Sequence, residues 1–167
     1  MNVFHHDLLA TLTPITSYLE IGVQEGNSLA AVVAANPGLS QITLCDEWGR
    51  AHGGTGRGSH AHIDARLASL GYTGRVTYLD GLSQRLIPTL KGQTFDLVHI
   101  DGDHSANAAR TDLENIWPLA AHYIVVHDVF FMSVWEAASA WLMAHKTRIR
   151  TARISASDTG TLVVEVG

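Results

Sequence analysis

Residues Ser17 to Ser28 read Ser-Tyr-Leu-Glu-Ile-Gly-Val-Gln-Glu-Gly-Asn-Ser, and they restrict the fold more than any other stretch of the chain. A short apolar run carries Glu20, Gly22 and Gly26 follow, and an apolar helical pattern then begins at Leu29, Val32 and Val33. This is a buried strand that turns into a helix through a glycine-containing loop. Such a loop lets a ligand's polar tail approach the backbone, near the free N–H groups of a helix start. The spacing also excludes one ligand class. A dinucleotide fingerprint beginning at Gly22 needs glycine at positions occupied by Gln24 and Asn27.

The same alternation continues along the chain. Strand-like runs fall near Ser17–Val23, Gln41–Asp46, Arg75–Leu79, Asp96–Asp101 and Tyr123–Asp128. Helical patterns lie near Ser28–Ala35, His60–Leu70, Leu82–Leu90 and Ala106–Leu119, with a shorter candidate at Phe4–Leu12 that stops before Pro14. Continuously apolar strands such as Leu97-Val98-His99-Ile100 suit a parallel sheet covered on both faces. After Asp128 the pattern changes to a helix, Val134–His145, and two strands near Arg148–Ser155 and Thr161–Val166, joined through Gly160. That ending reads as an antiparallel hairpin. The expected fold is α/β, Rossmann-like and doubly wound, with a mostly parallel seven-stranded sheet that ends in an antiparallel hairpin. No linker or internal repeat divides residues 1–167, so a single domain is expected, and 46% hydrophobic content supplies a proper core.

Composition narrows the partners. A net charge of −5 and a pI near 6.0 argue against general nucleic-acid binding, which needs a basic face. The basic residues Lys146, Arg148, Arg150 and Arg153 read as a solvated, edge-protecting strand rather than an RNA surface. Cys45 is the single cysteine, so no internal disulfide forms, and a reducing cytoplasm is the simplest setting. No signal-peptide pattern opens the chain, and no apolar stretch is long enough for a membrane span.

In open α/β sheets, ligands sit beyond the carboxyl ends of the strands. The polar residues there are Glu20 with its loop, Asp46 and Glu47, Asp80 through Gln84, Asp101 through His104, and His127 with Asp128. Asp46 can accept hydrogen bonds from both hydroxyls of a ribose, or it can cap a helix. Ser83 can be a plain helix cap. Asp101 and Asp128, at adjacent strand ends, suit a hard cation such as Mg²⁺, and an imidazole from His104 or His127, beside Asp103, tilts the preference toward a transition metal. Without a metal, Asp101 is a hydrogen-bond acceptor and His104 either a general base or a structural loop contact.

Three motifs carry a family resemblance. Glu20-x-Gly22-x-x-x-Gly26 resembles the first motif of class I S-adenosylmethionine-dependent methyltransferases. Gly81-Leu-Ser83-Gln84-Arg-Leu-Ile-Pro88 resembles the adenine-binding turn of catechol O-methyltransferase-like enzymes. Phe95-Asp-Leu-Val-His-Ile-Asp101-Gly-Asp103-His104, followed by Asp112-Leu-x-x-x-Trp117-Pro118-Leu119 and the later His127-Asp128-Val129, is similar to small-molecule and sugar O-methyltransferases. The resemblance covers about Ser17 to Val129. It implies S-adenosyl-L-methionine as cofactor and a small-molecule or sugar hydroxyl as acceptor, with no nucleic-acid or membrane partner. By the same resemblance Glu20, Gly22, Gly26 and Ser28 hold the methionine portion, Asp46 the ribose, and Gly81, Ser83 and Gln84 the adenine. Asp101 lies at the cofactor's reactive end, His104 is the base, and Asp101 with Asp128 holds a divalent cation if one is present.

The chain departs from that family at three points. The N-terminal extension is short, Ala120-Ala121-His122 replaces the usual glycine pair before the fifth strand, and Val129 stands where the third metal position falls. Either the acceptor site is broad and open, or a second subunit of a homo-oligomer completes it. Two other readings remain at this stage: a non-catalytic cofactor-binding module, and a metal-dependent hydrolase built on Asp101, Asp103, His104 and Asp128. The glycine-rich Gly49–His62 segment reads as a mobile flap, in preference to a zinc site on His52, His60 and His62. Trp135 and Trp141, with Val134, Ala138 and Leu142, read as a core-facing stripe, and part of Phe130-Phe131-Met132 as a pocket wall.

Overall fold

A computed structural model describes residues 5–49, 56–156 and 159–167. The chain runs α1 (His5–Ala10), β1 (Ser17–Ile21), α2 (Asn27–Ala35), β2 (Gln41–Asp46), α3 (His60–Ser69), β3 (Arg75–Asp80), α4 (Ser83–Leu86), β4 (Phe95–Ile100), α5 (Ala106–Ile116), β5 (Ala120–His127), α6 (Met132–His145), β6 (Ile149–Ser155) and β7 (Thr161–Val166). One seven-stranded sheet results, in the order β3-β2-β1-β4-β5-β7-β6. The first five strands pair in parallel, and β7 pairs antiparallel with both β5 and β6. Strand order reverses between β1 and β4, which opens a crevice at their carboxyl ends.

Two apolar layers enclose the sheet. On one face Leu19, Ile21, Val98, Ile100, Ile124 and Val126 pack with Leu113 and Ile116 of α5 and Val134 and Trp141 of α6. On the other, Tyr18, Leu97, Ile42, Leu44 and Val125 pack with Leu8 and Leu9 of α1, Val32 of α2 and Ile63 and Leu67 of α3. Successive strand residues point to opposite faces. Glu20 and His99, each set between apolar residues that face the other way, therefore turn toward α1. Among the described residues, no helix is long and apolar enough to cross a membrane.

The boundaries depart from the sequence expectation where backbone chemistry intervenes. The helix expected over 82–90 is a short α4 followed by a 3₁₀ turn over Ile87–Leu90, because Pro88 has no N–H to continue the ladder. Helix α5 ends at Ile116, and β5 starts three residues earlier than Tyr123, with Ala120 already paired to Phe95. Trp141 is buried, whereas Trp135 is 36% exposed. At about 100° per residue, Val134, Ala138 and Trp141 share a stripe that Trp135 leaves. The flap expected over 49–62 falls partly outside the described residues, and the zinc candidate His52 lies outside them; His60 and His62 belong to α3, capped by the Ser59 hydroxyl. His60 bonds Asp80 at 2.7 Å and stacks on Tyr78 at the sheet edge, and among the described residues it joins no metal-ligand cluster.

Candidate active site

The carboxyl ends of β1 to β5 surround a cavity of about 290 Å³. Backbone contacts hold its floor. Gly22 N–H donates to Cys45 carbonyl at 2.9 Å, Asp101 N–H to Ile21 at 2.8 Å and Gly81 N–H to Asp46 at 3.0 Å. Gly22, at φ +82°, presses so close to β4 that a Cβ there would lie 2.0 Å from the Asp101 carbonyl oxygen. Only glycine fits that position. Gln24, Trp48 and Asp128 adopt positive φ, at 50°, 55° and 58°, just past the ends of β1, β2 and β5. Backbone strain is thus concentrated around one rim, as at many ligand sites.

Asp46 anchors the first loop. One carboxylate oxygen accepts Val23 N–H at 2.7 Å and Gln24 N–H at 2.9 Å; the other accepts Trp48 N–H at 2.6 Å. Farther along, Ser83 and Gln84 lie over Asp112 of α5, which accepts the Ser83 hydroxyl at 2.7 Å and the Gln84 amide at 3.2 Å. Burial pushes the Asp112 carboxyl up to about 6, against the opposing effect of those two hydrogen bonds.

The opposite end of the cavity holds two carboxylate–imidazole pairs. His104 Nε2 lies 2.8 Å from Asp128 Oδ2, and His127 Nδ1 lies 3.1 Å from Asp101 Oδ1. The hydrogen bond to Asp128 raises the His104 pKa above its ordinary value and outweighs desolvation. Asp128, although its burial opposes ionisation, is held below the usual carboxylate range by His104 and by the Thr159 hydroxyl, which donates a short hydrogen bond to it. Phe131 stacks on the His104 ring, with centroids 5.1 Å apart. Asp101, His104 and Asp128 each offer a ligand atom within 4.8 Å of the others, close enough to share one divalent cation.

Beneath this rim lies a buried polar cluster. His5 Nε2 meets His99 Nε2 at 2.9 Å, and His99 Nδ1 meets Glu20 Oε1 and the Tyr18 hydroxyl, both at 3.2 Å. His5 Nδ1 bonds Thr161 Oγ1 at 3.0 Å, and the His5 ring packs against His127 with centroids 4.0 Å apart. One tautomer set satisfies three of these links: Thr161 donates to His5, His5 to His99 and His99 to Glu20. Desolvation, reinforced by the neighbouring imidazoles, drives the His5 pKa far down, and desolvation raises that of Glu20.

A methyltransferase-domain family model matches residues 19–129, which include every one of these strand ends. The chain belongs to that family. Among solved structures it resembles the O-methyltransferase NovP at 14% identity and TM-score 0.70, covering 96% of this chain and 75% of that one. It also resembles CalS11, a TDP-rhamnose 3′-O-methyltransferase, at 15% identity and TM-score 0.67, with coverages of 99% and 82%. A third is an O-methyltransferase from Bacillus cereus in complex with SAH, at 17% identity and TM-score 0.65, with coverages of 97% and 78%. These likenesses are of fold. No curated protein matches the chain in sequence.

In this methyltransferase, the cavity gathers Gly22, Asp46, Gly81, Ser83, Gln84, Asp101, His104 and Asp128. Glu20 and Ser28 line a smaller recess of about 90 Å³ that shares Gly22, Gln24 and Asp101 with the main cavity. Gly26 lines neither; at φ +71° it starts α2, and a Cβ there would strike Ile63. Asp80 turns away to Trp48 and His60, and Asp103 turns back to the Ser105 N–H, so neither joins the cation cluster. Val129 is buried and cannot ligate. Sequence reasoning gave Asp112 no role beyond its place in the family resemblance, and it missed both the contact of Asp112 with Ser83 and Gln84 and the His5–His99 link. Asp112 had a signal: it shares the buried stripe of α5 with Ala108, Ala109, Leu113 and Ile116, where a carboxylate needs a partner.

Proposed function

We propose that this methyltransferase uses S-adenosyl-L-methionine to methylate a hydroxyl oxygen of a small-molecule or sugar acceptor. One observation carries the reading. A single cavity is lined at one end by the Gly81-Ser83-Gln84 turn and at the other by the His104–Asp128 pair, so a nucleoside and a proton acceptor share one space. The SAH and sugar O-methyltransferase named among the similar folds support the same choice of cofactor and acceptor.

The nucleoside would lie across the strand ends, with its adenine beside Ser83 and Gln84. Three hydrogen bonds leave a carboxylate with acceptor capacity to spare, so Asp46 can hold a ribose hydroxyl while it fixes the loop. The methionine end would lie along Gly22 toward Glu20 and Ser28. At the other end, Asp128 accepts the Nε2 proton of His104, which fixes the tautomer and leaves Nδ1 free to take the acceptor's hydroxyl proton. The oxygen lone pair then forms the new bond to the methyl carbon as the carbon–sulfur bond breaks, and sulfur keeps that electron pair as a neutral thioether. Alignment of the three atoms supplies most of the acceleration. Phe131, exposed and stacked on the His104 ring, would offer the acceptor an apolar surface there, and its chain neighbours Phe130 and Met132 are exposed as well.

A second reading rests on the Asp101–His104–Asp128 cluster. These residues fit a divalent cation, Mg²⁺ or a transition metal, which would lower the pKa of the acceptor hydroxyl when bound. In that arrangement Asp101 and Asp128 would be ligands and His104 a third. Transfer of a labelled methyl group across a panel of sugar and phenolic hydroxyl acceptors tests the main reading, repeated after chelation. Turnover that survives chelation supports His104 as base, turnover lost and restored by Mg²⁺ or Mn²⁺ supports the cation, and absence of transfer to every hydroxyl contradicts O-methylation.

A further inference from the structure

One buried carboxylate has no part in methyl transfer. Asp112 is 1% exposed on the core face of α5, and its Oδ2 has no hydrogen-bond partner. An apolar residue would pack at this position as Leu113 and Ile116 do, without the cost of burying a carboxyl group. What Asp112 does instead is hold two side chains of the turn above it. Its Oδ1 accepts from Ser83 Oγ at 2.7 Å and Gln84 Nε2 at 3.2 Å, and Gln84 Nε2 also donates to Ser83 Oγ at 2.9 Å.

This arrangement gives the Gln84 amide a direction. A free glutamine can present either its oxygen or its nitrogen to a ligand. Facing a carboxylate, it must turn its nitrogen inward, because an amide oxygen there would meet another acceptor. The carbonyl oxygen is then the end left for the cavity that Gln84 lines. Among the described residues, nothing donates to that oxygen. A ligand edge beside it must therefore bring an N–H. A 6-amino purine brings one; a 6-oxo purine sets oxygen against oxygen.

Resting on the cofactor reading above, we propose that Asp112 is a positioning residue which locks the Gln84 amide and thereby makes the site select a 6-amino over a 6-oxo purine nucleoside. The experiment is a calorimetric titration of S-adenosylhomocysteine and its deaminated 6-oxo counterpart into the wild type, Asp112→Ala, Asp112→Leu, Gln84→Ala and the Asp112→Ala/Gln84→Ala double variant. The wild type is expected to prefer the amino form by about tenfold or more, since a buried acceptor is left unmet in the other complex. Either Asp112 variant should lose most of that preference, because the freed amide can turn its nitrogen to the 6-oxo group. Gln84→Ala should lose it too, and the double variant should lose no more than the single ones.

Weaker binding of both nucleosides by the Asp112 variants at an unchanged ratio would make Asp112 merely structural and overturn the proposal. Failure of both apolar variants to fold would overturn it likewise. A wild type that binds the two nucleosides equally sinks this inference alone, whereas a wild type that binds neither sinks the cofactor reading and this one with it.

Discussion

His104 and His5 are the same side chain in opposite surroundings. His104 stands at the open rim with a carboxylate 2.8 Å away, and its pKa is raised. His5 is sealed between α1 and the sheet, hydrogen-bonded to His99 and Thr161, and its pKa is driven down. Solvent and a paired anion leave the first able to exchange a proton with a substrate. Burial leaves the second a fixed polar strut that ties α1 to β4 and β7. Among ten histidines, environment rather than residue type assigns the chemistry.

The largest expected effect breaks the rim. His104→Ala should lower kcat by about 10²- to 10⁴-fold, the usual worth of a positioned general base, with affinity for S-adenosylhomocysteine unchanged. A loss confined to cofactor affinity would make His104 a binding residue and erase the contrast. The buried partner should behave in the opposite sense. His5→Leu removes the hydrogen bonds that His5 makes to His99 and Thr161 and is expected to cost about 1–3 kcal/mol in urea unfolding, with kcat close to wild type. Equal loss of activity in both variants would mean that the two clusters act as one.

Acidity sharpens the contrast further. The folded-state pKa of His5 lies below its ordinary 6.5, so its contribution to stability is present above that pH and is lost as pH falls. The wild type should lose stability on the acid side of 6.5, by at most about 1.4 kcal/mol per pH unit for one proton, and His5→Leu should flatten that slope. His104 has the reverse sign. Its pairing with Asp128 contributes fully below 6.5 and fades as pH rises through the raised value. The smallest expected effect follows from the same pair. Because the base form of His104 appears only above its raised pKa, kcat/KM should climb toward alkaline pH, and Asp128→Asn should shift that climb to lower pH. A midpoint that does not move would uncouple the two residues.

The rim was legible in the chain because its residues fall in short continuous motifs at strand ends. Asp101 to His104 and His127-Asp128 needed only the rule that ligands gather beyond the carboxyl ends. The parallel sheet and closing hairpin were legible for a similar reason, since strand and helix periods alternate cleanly. The buried cluster was not. His5 and His99 lie 94 positions apart, and nothing local joins them. Half of that cluster did leave a trace. Glu20 and His99 each interrupt an apolar strand, and the β1–β4 register sets them side by side. The loop-anchoring part played by Asp46 was hidden too, because its three donors are backbone amides, which carry no residue-type signal.

All of this presumes a nucleoside seated across the strand ends. Isothermal titration of the wild-type chain with S-adenosylmethionine and S-adenosylhomocysteine tests it most directly. The expected result is one site per chain for each compound, with dissociation constants in the micromolar range. Heats no different from dilution for both compounds would contradict it.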